Sequence, residues 1–133
     1  MVNLNEDALY GEILTSTVEY LERAIPMVGK LAEGFYNGPD KAVWERFNQL
    51  LEGFQWLVNG QEHLRKRFPT DAELQSLQVV FCGKLAELSE ALENSDFIFM
   101  ADLLNFEIIP VLESVLAHAK GMLVGEGLED RAN

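Results

Sequence analysis

The sequence predicts an all-α chain folded as an antiparallel up-and-down four-helix bundle. Four segments repeat apolar residues at spacings of three and four, the period of a helix with one buried face. No segment sustains the period-two alternation of a half-buried strand. The connections between segments are short, which favours antiparallel neighbours.

Composition agrees with this fold class. The chain has 133 residues and is 48% apolar, enough for a core without disulfides or a metal, so residues 1–133 are expected to form a single helical domain. It carries 22 Asp and Glu against 10 Lys and Arg, a net charge of −12. That excess of acid disfavours nucleic acid and anionic membrane surfaces, and favours a basic partner. The single cysteine, Cys82, excludes an intrachain disulfide and a multi-cysteine metal site.

The first helix is expected over about 5–35. Leu14, Val18, Leu21, Ile25, Val28 and Ala32 form its apolar stripe, with Glu12, Glu19, Arg23, Lys30 and Glu33 opposite. Pro26 removes one helical hydrogen bond, so a kink or break is expected there. The stripe continues in phase past it, which favours a kink.

The second helix is expected over 39–66. Tyr36-Asn37-Gly38-Pro39-Asp40 is a turn, and Pro39 suits a first helical position. Val43, Phe47, Leu50, Leu51, Phe54, Leu57 and Val58 make the buried face, Gly60 is a weak point, and Pro69 closes the segment. Trp44 and Trp56 fall at the margins of the stripe, as Tyr20 and Met27 do on the first helix. Arg65-Lys66-Arg67 suits the negative end of the helix dipole.

The third helix is expected over 71–93, with Leu74, Leu77, Phe81, Leu85, Leu88 and Leu92 inside. Thr70-Asp71-Ala72-Glu73 reads as a capping box with Thr70 as the cap. Cys82 is expected to be buried or half-buried. Asn94-Ser95-Asp96 then breaks the chain and caps the next helix.

The fourth helix, about 97–124 with Pro110 inside and a polar tail at 125–133, is too apolar for one stripe. Phe97, Met100, Ala101, Leu104, Ile108, Val111 and Val115 share a face at about 100° per residue. Phe99, Leu103, Phe106 and Pro110 share another, nearly opposite. One face closes the bundle. The other meets the rest of the chain, a second copy in a homodimer, or a helix of another protein, and the three alternatives stay open. Phe99, Leu103 and Phe106, with Trp44 and Trp56 behind them, are the candidate partner-binding residues. Asp102, Asn105 and Glu107 form the narrow polar strip of this helix.

The chain contains no phosphate loop, dinucleotide fingerprint, nucleophile turn or calcium loop. His63 and His118 stand outside metal-ligand spacings and read as surface histidines. The N-terminus lacks a signal-peptide pattern and no run is apolar enough for a membrane span, so a cytoplasmic location is expected. The functional expectation is a non-enzymatic interaction protein without a cofactor, of the adaptor, chaperone-like or regulatory kind for which bacteria use small acidic helical bundles. Two readings compete with it. One is a carboxylate-based metal-binding or enzymatic bundle. The other is a regulatory domain that binds a small apolar ligand.

Overall fold

A computed structural model describes residues 4–125. Helix α1 spans Leu4–Tyr36, α2 Lys41–Arg67 and α3 Ala72–Glu93. A fourth rod follows in three consecutive parts: α4 over Phe97–Asp102, a π-helical segment over Leu103–Ile108, and α5 over Ile109–Gly125. No strand occurs among the described residues. Each rod packs on two neighbours: α1 on α2 and the fourth rod, and α3 on α2 and the fourth rod. This is the expected all-α four-helix bundle.

Neither Pro26 nor Gly60 breaks its helix, and both α1 and α2 are continuous. The turn before α2 places Gly38 at φ +92°, a backbone region open to glycine without steric cost. Helix α2 starts two residues later than the sequence suggests. Asp40, not Pro39, ends the turn, and its carboxylate accepts from the Val43 amide at 2.9 Å. Helix α3 is likewise capped by Asp71, whose Oδ1 accepts from the Leu74 amide at 3.0 Å. The expected Thr70 capping box is therefore corrected by one residue. A carboxylate carrying full charge is the better acceptor at the positive end of the helix dipole.

Helix α3 ends on a paired backbone turn. The Asp96 amide donates to the Ala91 carbonyl at 2.9 Å and the Ser95 amide to the Leu92 carbonyl at 3.0 Å. This pattern needs a left-handed residue after the cap, and Ser95 supplies it at φ +52°. Asp96 then caps the fourth rod through the Phe99 amide at 3.1 Å.

Gly125, expected in the tail, is still helical, and the rest of the expected tail, 126–133, lies outside the described residues. The core forms two clusters. The larger holds Leu21, Val28, Phe35, Phe47, Phe54, Phe81, Met100, Leu104, Ile108 and Leu112 among others. The smaller holds Leu14, Leu64, Leu74, Ala119, Met122 and Leu123.

Candidate interaction surface

The fourth rod departs from a simple helix where its sequence is most apolar. Pro110 has no amide hydrogen, so the Phe106 carbonyl loses the donor four residues ahead. The chain before it widens into the π-helical segment, in which Ile109 donates to the carbonyl of Leu104, five residues back. A π turn holds more residues than an α turn and rotates everything beyond it.

That rotation decides which apolar residues point inward. Leu103 is fully buried, beside Met100, Ala101, Leu104 and Ile108. The expectation that Leu103 shares an outer face with Phe99 and Phe106 is overturned. A straight α-helical wheel does not contain the wider turn that brings Leu103 and Ile108 to the same core. Phe99 and Phe106 do face outward, 41% and 66% exposed.

The polar strip of this rod is divided as well. Asp102 accepts the Tyr36 hydroxyl at the end of α1, and this bond, with burial and the carboxylate's charge, raises the Tyr36 pKa above its ordinary value. Glu107 points to α3, where Lys84 Nζ lies 2.7 Å from Glu107 Oε1 and 3.1 Å from Glu87 Oε2. The hydrogen bonds to Glu107 and then Glu87 raise the Lys84 pKa.

These contacts define a seam between α3 and the fourth rod. Val80, one turn before Lys84 on the same face of α3, is 41% exposed. Phe106 adjoins Glu107 in the chain. Phe99 lies toward the other end of α3, beside Glu87, Glu90, Ala91, Asn94 and Asp96. The Lys84 pairs join α3 to the fourth rod, the acids gather around Phe99, and Val80 and Phe106 are the exposed apolar side chains next along these two elements. Val79 on α3 and Ile98 on α4 are exposed too. The α3 residues Val79 and Val80 were missed because each is isolated in its own helix.

The tryptophans do not join this seam. Trp44 is half-buried in an aromatic cluster, with ring centroids 5.3 Å from Phe35, 6.0 Å from Phe47 and 5.7 Å from Phe97. It closes one end of the bundle. Trp56 is exposed and rests edge-on against Tyr20 at 5.7 Å, over the α1–α2 boundary. Burial raises the Tyr20 pKa, partly offset by Arg23.

Cys82 is exposed, contrary to expectation, because the inward line of α3 runs through Phe81 and leaves its neighbour a third of a turn outside. His63 is exposed as expected. His118 is not a surface histidine. Its side chain is 15% exposed, with Nε2 2.9 Å from Asp71 Oδ2 and Nδ1 3.0 Å from Glu73 Oε2. It ties α5 to the start of α3, while the other oxygen of Asp71 caps that helix. Sequence distance hid the pairing, since 47 residues separate Asp71 from His118. Among the described residues, no group of three or more His, Cys, Asp or Glu side chains is placed to hold a metal ion.

No helix among the described residues is long and apolar enough to cross a membrane. Residues 12–118 match the model of a family described as a domain of unknown function, DUF8042, and the chain belongs to that family. No curated protein and no solved structure matches the chain.

Proposed function

We propose that the protein is a non-enzymatic helical interaction module of the cytoplasm, which presents the α3–fourth-rod seam to an amphipathic, basic helix of a partner protein. The observation that carries this reading is the exposure of Phe106, at 66%, in the π-helical segment whose Glu107 pairs with Lys84 of α3. Short π-helical segments inside α-helices occur frequently at functional sites, and grouped exposed apolar side chains mark interaction surfaces. The seam's charge supports the chemistry of the partner. Glu87, Glu90, Asp96 and Glu107 border it, and Lys84 is already paired with two of them. A cationic helix with an apolar stripe would meet both features. Self-association through the same seam is the second reading, opposed by the charge of −12 on each copy.

The test uses a synthetic amphipathic helix of leucine and lysine, titrated calorimetrically into the protein, with mass in solution measured in parallel. Saturable binding that weakens at least tenfold in the Phe99→Ser, Phe106→Ser double variant supports the reading. A concentration-dependent dimer lost in the same variant favours self-association. Unchanged peptide binding in the variant, with a monomer at every concentration, removes the seam from consideration.

A further inference from the structure

The bundle has a second face of a different character. Helix α2 packs between α1 and α3, and the fourth rod closes the ring, so the α1–α2 edge lies opposite the α3–fourth-rod seam. A cleft of about 210 Å³ opens on that edge, lined by Met27, Lys30 and Leu31 of α1 and by Arg46 of α2. Its walls present apolar and polar surface together. Leu31 is buried, whereas Met27, Lys30 and Arg46 are exposed.

Helix spacing and antiparallel packing build this edge. Arg23, Met27 and Lys30 recur at intervals of four and three, so they share one face of α1. Two close approaches fix how that face meets α2. A Cβ at Gly34 would touch Val43, and one at Gly53 would touch Tyr20. Arg46 lies between Val43 and Gly53 on α2, which brings it level with Met27 and Lys30.

The two cations of the cleft are without acids. Lys41, Arg65, Lys84 and Lys120 each pair with a carboxylate. Lys30 and Arg46 have no such partner among the described residues. Glu45, next to Arg46 in the chain, is taken by Lys41 at 3.9 Å. Acids outnumber bases by 22 to 10 in this chain, so the lack is not one of supply. Two like charges lining one cleft repel each other, and an anion set between them turns that repulsion into attraction.

We propose that this cleft binds an acidic peptide segment of a partner protein, with a carboxylate against Lys30 and Arg46 and a neighbouring apolar side chain against Met27 and Leu31. Arg46 offers a planar fork of donors that matches a carboxylate, and Lys30 adds a mobile point charge. Met27 is unbranched and adapts to apolar groups of varied shape. The exposed Trp56, resting on Tyr20, continues the same edge and gives a longer peptide an aromatic anchor. A bare phosphate has no use for the apolar part of the cleft, and the charge of −12 repels a polyanion such as nucleic acid. The site stands apart from the seam, which lies across the bundle and takes a partner of the opposite charge.

The probe is a synthetic peptide of glutamates flanked by leucines, titrated at low salt into the full nitrogen-15-labelled chain and followed by amide correlation spectra. Saturable shifts are expected at Met27, Lys30, Leu31 and Arg46. In the Lys30→Glu, Arg46→Glu variant the affinity is expected to fall by about tenfold or more. In Lys66→Glu, Lys120→Glu, which changes the net charge equally but elsewhere, it is expected to stay within about twofold. A peptide with serines in place of the leucines is expected to bind about tenfold more weakly. No saturable shifts, or shifts centred outside the cleft, overturn the site in the wild type without any variant. Equal losses in the two charge variants reduce the binding to net charge and overturn it as well. A serine peptide of equal affinity, or inorganic phosphate that displaces the peptide at equal concentration, overturns the peptide as the occupant.

Discussion

Ile109 donates its backbone hydrogen to the carbonyl of Leu104, five residues back, immediately before a proline that cannot donate at all. This bond separates the fates of Leu103 and Phe106. Leu103 is sealed in the core and Phe106 is the more exposed of the two by a wide margin. Leu103→Ala is expected to cost about 2–5 kcal/mol by emptying a close-packed position. Phe106→Ala is expected to stay within about 0.5 kcal/mol, as for surface sites. Urea unfolding of both variants checks the contrast, and equal losses would contradict the observed register.

Ser95 holds a left-handed backbone after α3 with a side chain that disfavours it. Glycine adopts that conformation freely and is the usual residue at this point of the turn. Ser95→Gly is expected to raise stability by about 1 kcal/mol, the scale of the left-handed cost for an L-residue. A lowered urea midpoint would show that the serine hydroxyl matters more than the backbone.

Two helical glycines should respond to alanine with opposite signs. A Cβ at Gly34 would lie 2.7 Å from Val43 Cγ2 and 3.2 Å from Cγ1. Valine is stiff at χ1, so α1 and α2 would have to separate. A Cβ at Gly83 meets nothing within 4 Å. Gly83→Ala is expected to gain up to about 1 kcal/mol from helix propensity, whereas Gly34→Ala loses stability despite the same propensity gain. Thermal melting of the pair measures the difference.

Alkali should loosen the fourth rod. The folded state raises the pKa of Tyr36 through its bond to Asp102, and that of Lys84 through Glu107 and Glu87. A group raised on folding binds its proton more tightly in the native state. Its contribution is complete below the unfolded value, about 10 for both groups, and is lost as pH climbs through the higher folded value. Urea midpoints followed upward from about pH 8 should therefore fall more steeply for the wild type than for a Tyr36→Phe, Lys84→Met double variant. Parallel curves would mean that neither contact survives in solution.

Much of the fold was legible because helix periodicity is a local property. The stripes of α1, α2 and α3 depend on residues a turn or two apart, and all three helices occur within two residues of their expected ends. Caps are less legible: Thr70 and Asp71 are both good cap residues, and choosing between them depends on one backbone angle. The burial of Thr17, Gln61 and Gln78 is not legible in the sequence, because each looks like a minor interruption in a different stripe.

The candidate site divides along the same line. The sequence by itself determined that the fourth segment carries more apolar surface than one face can bury, and that the surroundings are acidic. Phe99 and Phe106 follow from that. Only the tertiary structure decided that Leu103 turns inward, that Lys84 pairs across to Glu107, and that His118 clasps Asp71 and Glu73. The reason is physical. A periodicity argument assumes one rotation per residue, and the π turn ahead of Pro110 changes that rotation. A pairing between helices depends on how whole rods dock, which no window of neighbouring residues contains.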